Sequence, residues 1–276
     1  MNAKPFIKWA GGKSQLLPDI RKKYPKELGK SITKYCEPFV GGGAVLFDVL
    51  LNYEIDEVLI NDINAELTNT YSHIKNHLAE LLLEITKMQE HFWPLDVEKR
   101  KEYYYEKRER FNYLKVNGDE AVNLEKAALL IFLNKTCFNG LFRVNKKGLF
   151  NVPMGAYKKP MICDKDNLTA ISGLLKNVTI RCGDYKECLE FIDERTFVYI
   201  DPPYRPLTAT ASFTSYAEAD FNDKEQRELG AFVDGITAKK AKVVISNSDP
   251  KNSDEDDTFF DDLYGRYNIL RVTAKR

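Results

Sequence analysis

The chain has 276 residues, 43% of them hydrophobic, which is enough apolar material for one sizeable domain or for a main domain carrying an insertion. Lysine plus arginine equals aspartate plus glutamate at 41 each, which excludes a protein held to nucleic acid by net charge alone. No signal peptide opens the chain, and its longest apolar run, residues 127–133, is far too short to cross a bilayer; a cytoplasmic protein with reduced thiols and no membrane partner is expected.

Taken in order, residues 13–23 read as a short helix after the Gly11-Gly12 turn. Residues 34–39 form a strand candidate running into Gly41-Gly42-Gly43, and residues 44–51 are compact and apolar, as in a helix packed on a sheet. Residues 57–60 read as a second strand, ending on Asn61-Asp62. Strand, glycine turn, helix, strand and acid follow the order of a nucleotide-binding βαβ unit. From about residue 64 to residue 135 the pattern turns helical and charged. Within it, residues 97–115 alternate basic, acidic and aromatic side chains, which predicts a solvated helix laced by i,i+4 ion pairs. Residues 138–155 hold glycines, asparagines and a proline between short aromatic pieces, the pattern of a hairpin or exposed loop.

Strand logic returns at 178–182, 196–200 and 241–245, which end at Gly183-Asp184, Asp201-Pro202-Pro203-Tyr204 and Ser246-Asn247-Ser248. Apolar strands that each stop at a polar turn line up their functional groups along one carboxyl edge of a parallel sheet. The expected fold is therefore α/β and Rossmann-like, mostly parallel with helices on both faces. Its catalytic domain is built from residues 1–76 and 166–276, and residues 77–165 form an inserted, mainly helical domain carrying a β-hairpin. Charge is distributed unevenly over this plan. Residues 132–162 contain no acid but hold Lys135, Arg143, Lys146, Lys147, Lys158 and Lys159, while acid is concentrated elsewhere, in Asp254-Glu255-Asp256-Asp257 and Asp261-Asp262. A local basic face with remote acid attracts phosphate without a basic total.

Asp201-Pro202-Pro203-Tyr204 carries the most specific chemistry. Two prolines after a buried strand fix φ and withhold backbone donors, which leaves carbonyls free to accept. An aspartate beside such a carbonyl offers two acceptors to an amino group with two hydrogens, and the tyrosine offers a stacking face. Acceptors held out of the ring plane favour a pyramidal nitrogen with a localised lone pair, an advantage that grows in the transition state. Phe39-Val40-Gly41-Gly42-Gly43 is the second signal: glycines after a first strand let the backbone approach a cofactor, and Asp62 lies at the spacing of a ribose-binding acid. Lys8-Trp9-Ala10-Gly11-Gly12-Lys13-Ser14 lacks the first glycine of a P-loop, since Ile7 stands there, so ATP binding is the last of the alternatives. A third signal is Asn139-Gly140-Leu141-Phe142-Arg143 with Asn151-Val152-Pro153-Met154-Gly155, where an arginine on a basic hairpin is suited to read guanine. Metal is not expected. The five cysteines form no Cys-x-x-Cys pair, and Ile74 replaces the glutamate that a His73/His77 motif would need.

Together these segments resemble the Dam family of adenine-specific DNA methyltransferases, in the alpha subgroup ordered cofactor motif, target-recognition region, catalytic motif. The resemblance continues through Phe150, Asn151 and Pro206-Leu207 to Ala211-Ser212-Phe213-Thr214. It implies S-adenosyl-L-methionine as cofactor, held by Trp9, Ala10, Gly11, Lys13, Phe39, Gly41, Gly43, Asp62, Asp184 and Tyr185, with S-adenosyl-L-homocysteine as product. It implies Asp201, Pro202, Pro203 and Tyr204 as the catalytic set acting on a flipped adenine in double-stranded DNA. Lys8, Phe138, Asn139, Leu141, Arg143 and Pro153 would contact the DNA, and that set looks like the readers of GATC. Position 138 is Phe where relatives often carry Tyr, and similar enzymes usually continue beyond the equivalent of Arg276 with a basic Ser/Gly-rich loop and a final strand, so an unfilled sheet edge is expected. A cognate restriction endonuclease is the expected genetic partner. Cytosine N4 or adenine in RNA as acceptor, and a non-catalytic DNA-binding module, are the competing readings.

Overall fold

The computed structural model describes residues 3–118, 123–205 and 221–272. Five strands form one wholly parallel sheet: β1 (Lys34–Glu37), β2 (Glu57–Asp62), β3 (Val178–Cys182), β4 (Thr196–Ile200) and β5 (Lys242–Ile245), in the order β3-β2-β1-β4-β5. All four residues of β1 and all five of β4 are buried, as parallel strands covered on both faces should be. Successive side chains point to opposite faces. Tyr35, Phe197 and Tyr199 therefore join a core on one face, and Cys36, Val198 and Ile200 join another on the reverse face. In register, Tyr35 lies beside Val58 and Phe197, and Ile200 beside Ile245. The strand order reverses between β1 and β4, which makes their carboxyl ends the switch point where open α/β sheets bind ligands.

The helices among the described residues are α1 (Leu17–Arg21), α2 (Ala44–Asn52), α3 (Ala65–Asn76), α4 (Leu78–Phe92), α5 (Val97–Asn117), α6 (Leu124–Thr136), α7 (Lys165–Leu175), α8 (Asp223–Ala238) and α9 (Phe259–Tyr264). Helix starts follow capping chemistry: Asn64, Asp96, Asn123 and Asp164 each accept a backbone N–H from three residues on, and Asn222 with Glu225 forms a capping box before α8. The helix expected over 13–23 is only five residues long. Pro18 suits a first helical turn, so regular structure begins at Leu17, and the preceding turns leave Lys13 to serve the site below.

Residues 127–133 of α6 are buried all round, which makes this helix the hub on which α3, α4 and α5 pack. The core of the first face runs without a break from Tyr35 and Phe47 to Phe132 and Phe150. Each such fully buried apolar side chain contributes about 1.5–3 kcal/mol. The i,i+4 lacing expected in α5 gives way to tertiary contacts. Tyr104, Phe111 and Leu114 are buried, Arg110 reaches Glu125 of α6, and Lys115 reaches Glu66 of α3. The segment 138–155 folds back on itself as expected of a hairpin, through bridges at Cys137–Met154 and Val144–Phe150 rather than a continuous ladder.

Candidate active site

β4 ends on Asp201, and because Ile200 is in register with Ile245, the end of β5 lies alongside it. The Ser246 N–H donates to the Ile200 carbonyl at 2.9 Å, and Ser246 Oγ donates to Asp201 Oδ1 at 3.1 Å. The other carboxylate oxygen, Oδ2, accepts from Lys13 Nζ at 2.6 Å. The same ammonium donates to Tyr204 Oη at 3.0 Å and to the Gly11 carbonyl at 2.7 Å. Lys13 is buried, while Tyr204 is 44% exposed. Burial pushes the Asp201 carboxyl above its ordinary value, against the pull of Lys13 and Ser246. Burial works the other way on Lys13, but attraction to Asp201 and Tyr204 holds its ammonium above the usual range. The Pro203 carbonyl accepts from Gln226 Nε2 at 3.1 Å, and Gln226 Oε1 accepts from Asn247 Nδ2 at 3.3 Å, so α8 and β5 together brace the motif.

The glycine turn after β1 is shaped by close packing. Gly43 is left-handed (φ 73°) and starts α2, and Gly41 (φ 47°) has Trp9 directly against it. A Cβ at Gly41 would come within 2.8 Å of the indole, so only glycine lets Trp9 lie there. Tyr71 Oη donates to the Gly41 carbonyl at 3.0 Å. Asp62, at the end of β2, accepts from the Gly41 N–H at 3.0 Å through Oδ2 and from the Asn64 N–H at 3.0 Å through Oδ1. Burial raises its carboxyl, and these backbone donors oppose the rise. Asn61 Nδ2 ties the Pro38 carbonyl to that of Gly183, joining the β1 and β3 turns, while its buried Oδ1 has no partner among the described residues. Phe39 lies 5.1 Å from Tyr185 and 5.9 Å from Phe221, ring centre to ring centre. Burial pushes the Tyr185 hydroxyl up to about 12, and that hydroxyl also has no partner among the described residues. Asp184 is exposed and accepts from the Lys186 N–H at 2.8 Å, capping the short 3₁₀ turn Tyr185–Glu190. Ala10 is exposed in the turn before Lys13.

Trp9 also faces the hairpin. Its ring stacks on Phe142 at 5.2 Å with 26° between planes. Lys8 is joined to the same region through Asn134: the Lys8 N–H donates to Asn134 Oδ1, and Asn134 Nδ2 donates to the carbonyls of Lys8 and Gly140. Gly140 leaves room for the Lys8 side chain, whose Cδ would sit 2.5 Å from a Cβ there. Phe138 is 52% exposed, Asn139 adopts a left-handed conformation (φ 56°), and the Phe138 N–H donates to the exposed Pro153's carbonyl at 2.8 Å. Leu141 is half-buried on the core, and Arg143 Nε donates to Asn151 Oδ1 at 2.8 Å. Lys8 and Trp9, adjacent in sequence, thus join the hairpin to the glycine turn.

Several contributors were given no role in the sequence reading. Ser246 sits at a strand end that the carboxyl-edge rule marked and Phe142 lies inside the hairpin motif, whereas nothing in the sequence pattern singled out Tyr71 or Phe221. Arg205, directly after Tyr204, pairs with Asp223 and Asp257, so part of the acidic stretch anchors the segment that follows β4. Pro206-Leu207 and Ala211-Ser212-Phe213-Thr214 lie outside the described residues. A surface hollow of about 560 Å³ is lined by Glu90, Trp93, Pro94, Arg100, Lys158 and Lys159 and includes none of the site residues. Among the described residues no group of three or more His, Cys, Asp or Glu is disposed to hold a metal ion, and no helix is long and apolar enough to cross a membrane.

A parallel sheet that gathers a glycine turn, a ribose-spaced acid and an Asp-Pro-Pro-Tyr segment at its switch point defines a Rossmann-like methyltransferase. Over residues 9–276 the chain matches, and belongs to, the D12 class N6 adenine-specific DNA methyltransferase family. It is 51% identical over 277 residues to the type II methyltransferase M.MjaIII of Methanocaldococcus jannaschii, covering 100% of this chain and 93% of that one. It is 36% identical over 278 residues to the type II methyltransferase M1.LlaDCHI of Lactococcus lactis, covering 100% and 89%. It is 36% identical over 244 residues to the DNA adenine methylase of Escherichia coli K12, covering 88% and 80%. The protein is thus an enzyme that acts on DNA, and its family implies a methyl donor.

Proposed function

We propose that this enzyme transfers a methyl group, in line and without a covalent enzyme intermediate, from S-adenosyl-L-methionine to adenine N6 within GATC in double-stranded DNA. S-adenosyl-L-homocysteine is the other product. The observation that carries this reading is the Asp201 carboxylate, with one oxygen held by Ser246 and the other meeting an N–H donor at 2.6 Å.

The residues at the switch point fit the cofactor. Asp62 offers a carboxylate at ribose spacing, Phe39, Tyr185 and Phe221 offer ring faces for a purine, and Asn61 Oδ1 and the Tyr185 hydroxyl are buried polar atoms with no partner among the described residues. Trp9, Ala10, Gly11, Lys13, Phe39, Gly41, Gly43, Asp62, Asp184 and Tyr185 would hold it. When bound, it supplies an electrophilic methyl group. Asp201 and the Pro202 carbonyl accept the two amino hydrogens of adenine and draw the nitrogen lone pair out of conjugation. Pro203 fixes the backbone, and Tyr204 stacks on the flipped base. The amino group takes the position at Oδ2 that Lys13 Nζ now fills, and Asp201 is the group placed to hold the proton the amine sheds.

Residues 77–165 form the target-recognition domain on this reading. Lys8 reads the outer guanine, Arg143 the opposing one, and Leu141 and Pro153 the thymine side. Asn139 holds the backbone and Phe138 fills the space left by the flipped adenine. Two similar proteins are named type II methyltransferases, which supports a cognate restriction endonuclease as genetic partner, with both acting on cytoplasmic DNA. The test is incubation with methyl-labelled cofactor and a GATC duplex, followed by nucleoside analysis. Label should enter N6-methyladenine and vanish when the site is scrambled. Label in N4-methylcytosine, or equal label in the scrambled duplex, would sink the assignment.

A further inference from the structure

We infer that Ser246, at the end of β5, is a positioning residue that sets the plane of the Asp201 carboxylate, and that Tyr199 acts on Asp201 only through it. The inference rests on the reading of Asp201 given above. Its basis is proton accounting in a closed chain of contacts. Ser246 Oγ lies 3.1 Å from Asp201 Oδ1 and 2.9 Å from Tyr199 Oη. A serine hydroxyl has one hydrogen, and an ionised carboxylate paired with Lys13 has none, so Ser246 donates to Asp201. Its lone pairs must then accept from Tyr199, which fixes the direction of the chain as Tyr199 to Ser246 to Asp201. Tyr199 is 1% exposed, so little water competes for its hydroxyl, and bonds in such a chain strengthen one another.

The consequence appears when substrate arrives. In the free enzyme both oxygens of Asp201 are tied, Oδ1 to Ser246 and Oδ2 to Lys13. Once the target amino group takes Oδ2, Ser246 is the side chain still holding the other oxygen. The terminal torsion of an aspartate is soft and broad, so without that anchor the carboxylate plane drifts. Transfer to an amine requires its acceptors out of the ring plane, and misplacement on the scale of 1 Å costs about a hundredfold. Residues that only stabilise the sheet would not show this dependence.

The experiment measures steady-state methylation of a GATC duplex, with cofactor affinity determined separately. Ser246→Ala should lower kcat by about 10- to 100-fold while KM for DNA and Kd for cofactor stay within about twofold. Ser246→Thr, which presents the same hydroxyl, should recover most of the loss. Tyr199→Phe should lower kcat by a smaller factor in the native background and have no further effect on Ser246→Ala, because it acts only through that hydroxyl. An unchanged kcat in Ser246→Ala overturns the inference, as does a loss that Thr fails to recover or an independent Tyr199→Phe effect in the double variant. Asp201→Ala is the control that separates the two levels: if it stays active, the site reading itself has failed, whereas an inactive Asp201→Ala beside a fully active Ser246→Ala refutes only the positioning role.

Discussion

Replacing Gly43 by alanine tests the glycine turn most directly. Gly43 has φ 73°, where a residue with a Cβ pays about 1–2 kcal/mol. The added Cβ would also lie 2.5 Å from the Tyr71 hydroxyl and 3.1 and 3.2 Å from two atoms of the Phe47 ring. Tyr71 and Phe47 are both fully buried, so neither swings clear, and overpacking of this kind costs about 1–3 kcal/mol. Together the substitution should destabilise the fold by about 2–5 kcal/mol, a large part of the 5–15 kcal/mol typical of a domain. The companion Tyr71→Phe alone removes one hydrogen bond, to the Gly41 carbonyl, at about 1 kcal/mol. In the double variant the hydroxyl that clashes is already gone, so the combined cost should fall short of additivity by about 1–2 kcal/mol. Urea unfolding of the four proteins reads this out. Strict additivity, or a Gly43→Ala protein as stable as the native one, would refute the packing argument.

Glu37 is buried at the end of β1, accepts from Tyr35 Oη at 2.7 Å, and is held by burial well above its ordinary value of 4.5. A carboxyl raised on folding contributes stability that is complete below that ordinary value and lost as pH rises through the raised one. Glu37→Gln should therefore gain stability relative to the native protein as pH climbs, and unfolding midpoints across roughly pH 4 to 9 should diverge; a constant difference contradicts the assignment. Arg143→Ala should relax discrimination at one guanine by about 1–3 kcal/mol, read from methylation of duplexes varied at that position, and an unchanged preference removes Arg143 from the readers. Asp201→Ala should abolish transfer while cofactor binding by calorimetry stays largely intact; losing both together would mean the motif serves the cofactor instead.

Four of the strands were legible as short, mainly apolar runs stopped by a polar turn, and β1, which reads Lys-Tyr-Cys-Glu, was legible from its place before the glycine turn. Asp62 and Asp201 could be picked out for the same reason, since each closes a strand. The Lys13–Asp201 pair was not legible, because it spans 188 residues and depends on how the first loop folds over the sheet. The Arg205–Asp257 pair likewise spans distant parts of the chain and carries no local signal. The ion pairs of α5 were misjudged because local spacing carries no information about Glu125 or Glu66 on neighbouring helices. Phe142 was marked only as part of the hairpin motif, and only tertiary structure seats it on Trp9.

That stacked pair makes one indole common to two tasks. Its edge lies against Gly41 in the proposed cofactor turn, and its face lies on the hairpin proposed to read DNA. On that proposal, a tilt of the hairpin on engaging a duplex would shift the indole against the glycine turn, and cofactor bound at that turn would brace the hairpin. Whatever factor DNA applies to cofactor affinity, cofactor must return to DNA affinity, since the coupling is a single free energy. Cofactor titrations with and without duplex measure that factor, and replacing Phe142 by leucine should bring it closer to one.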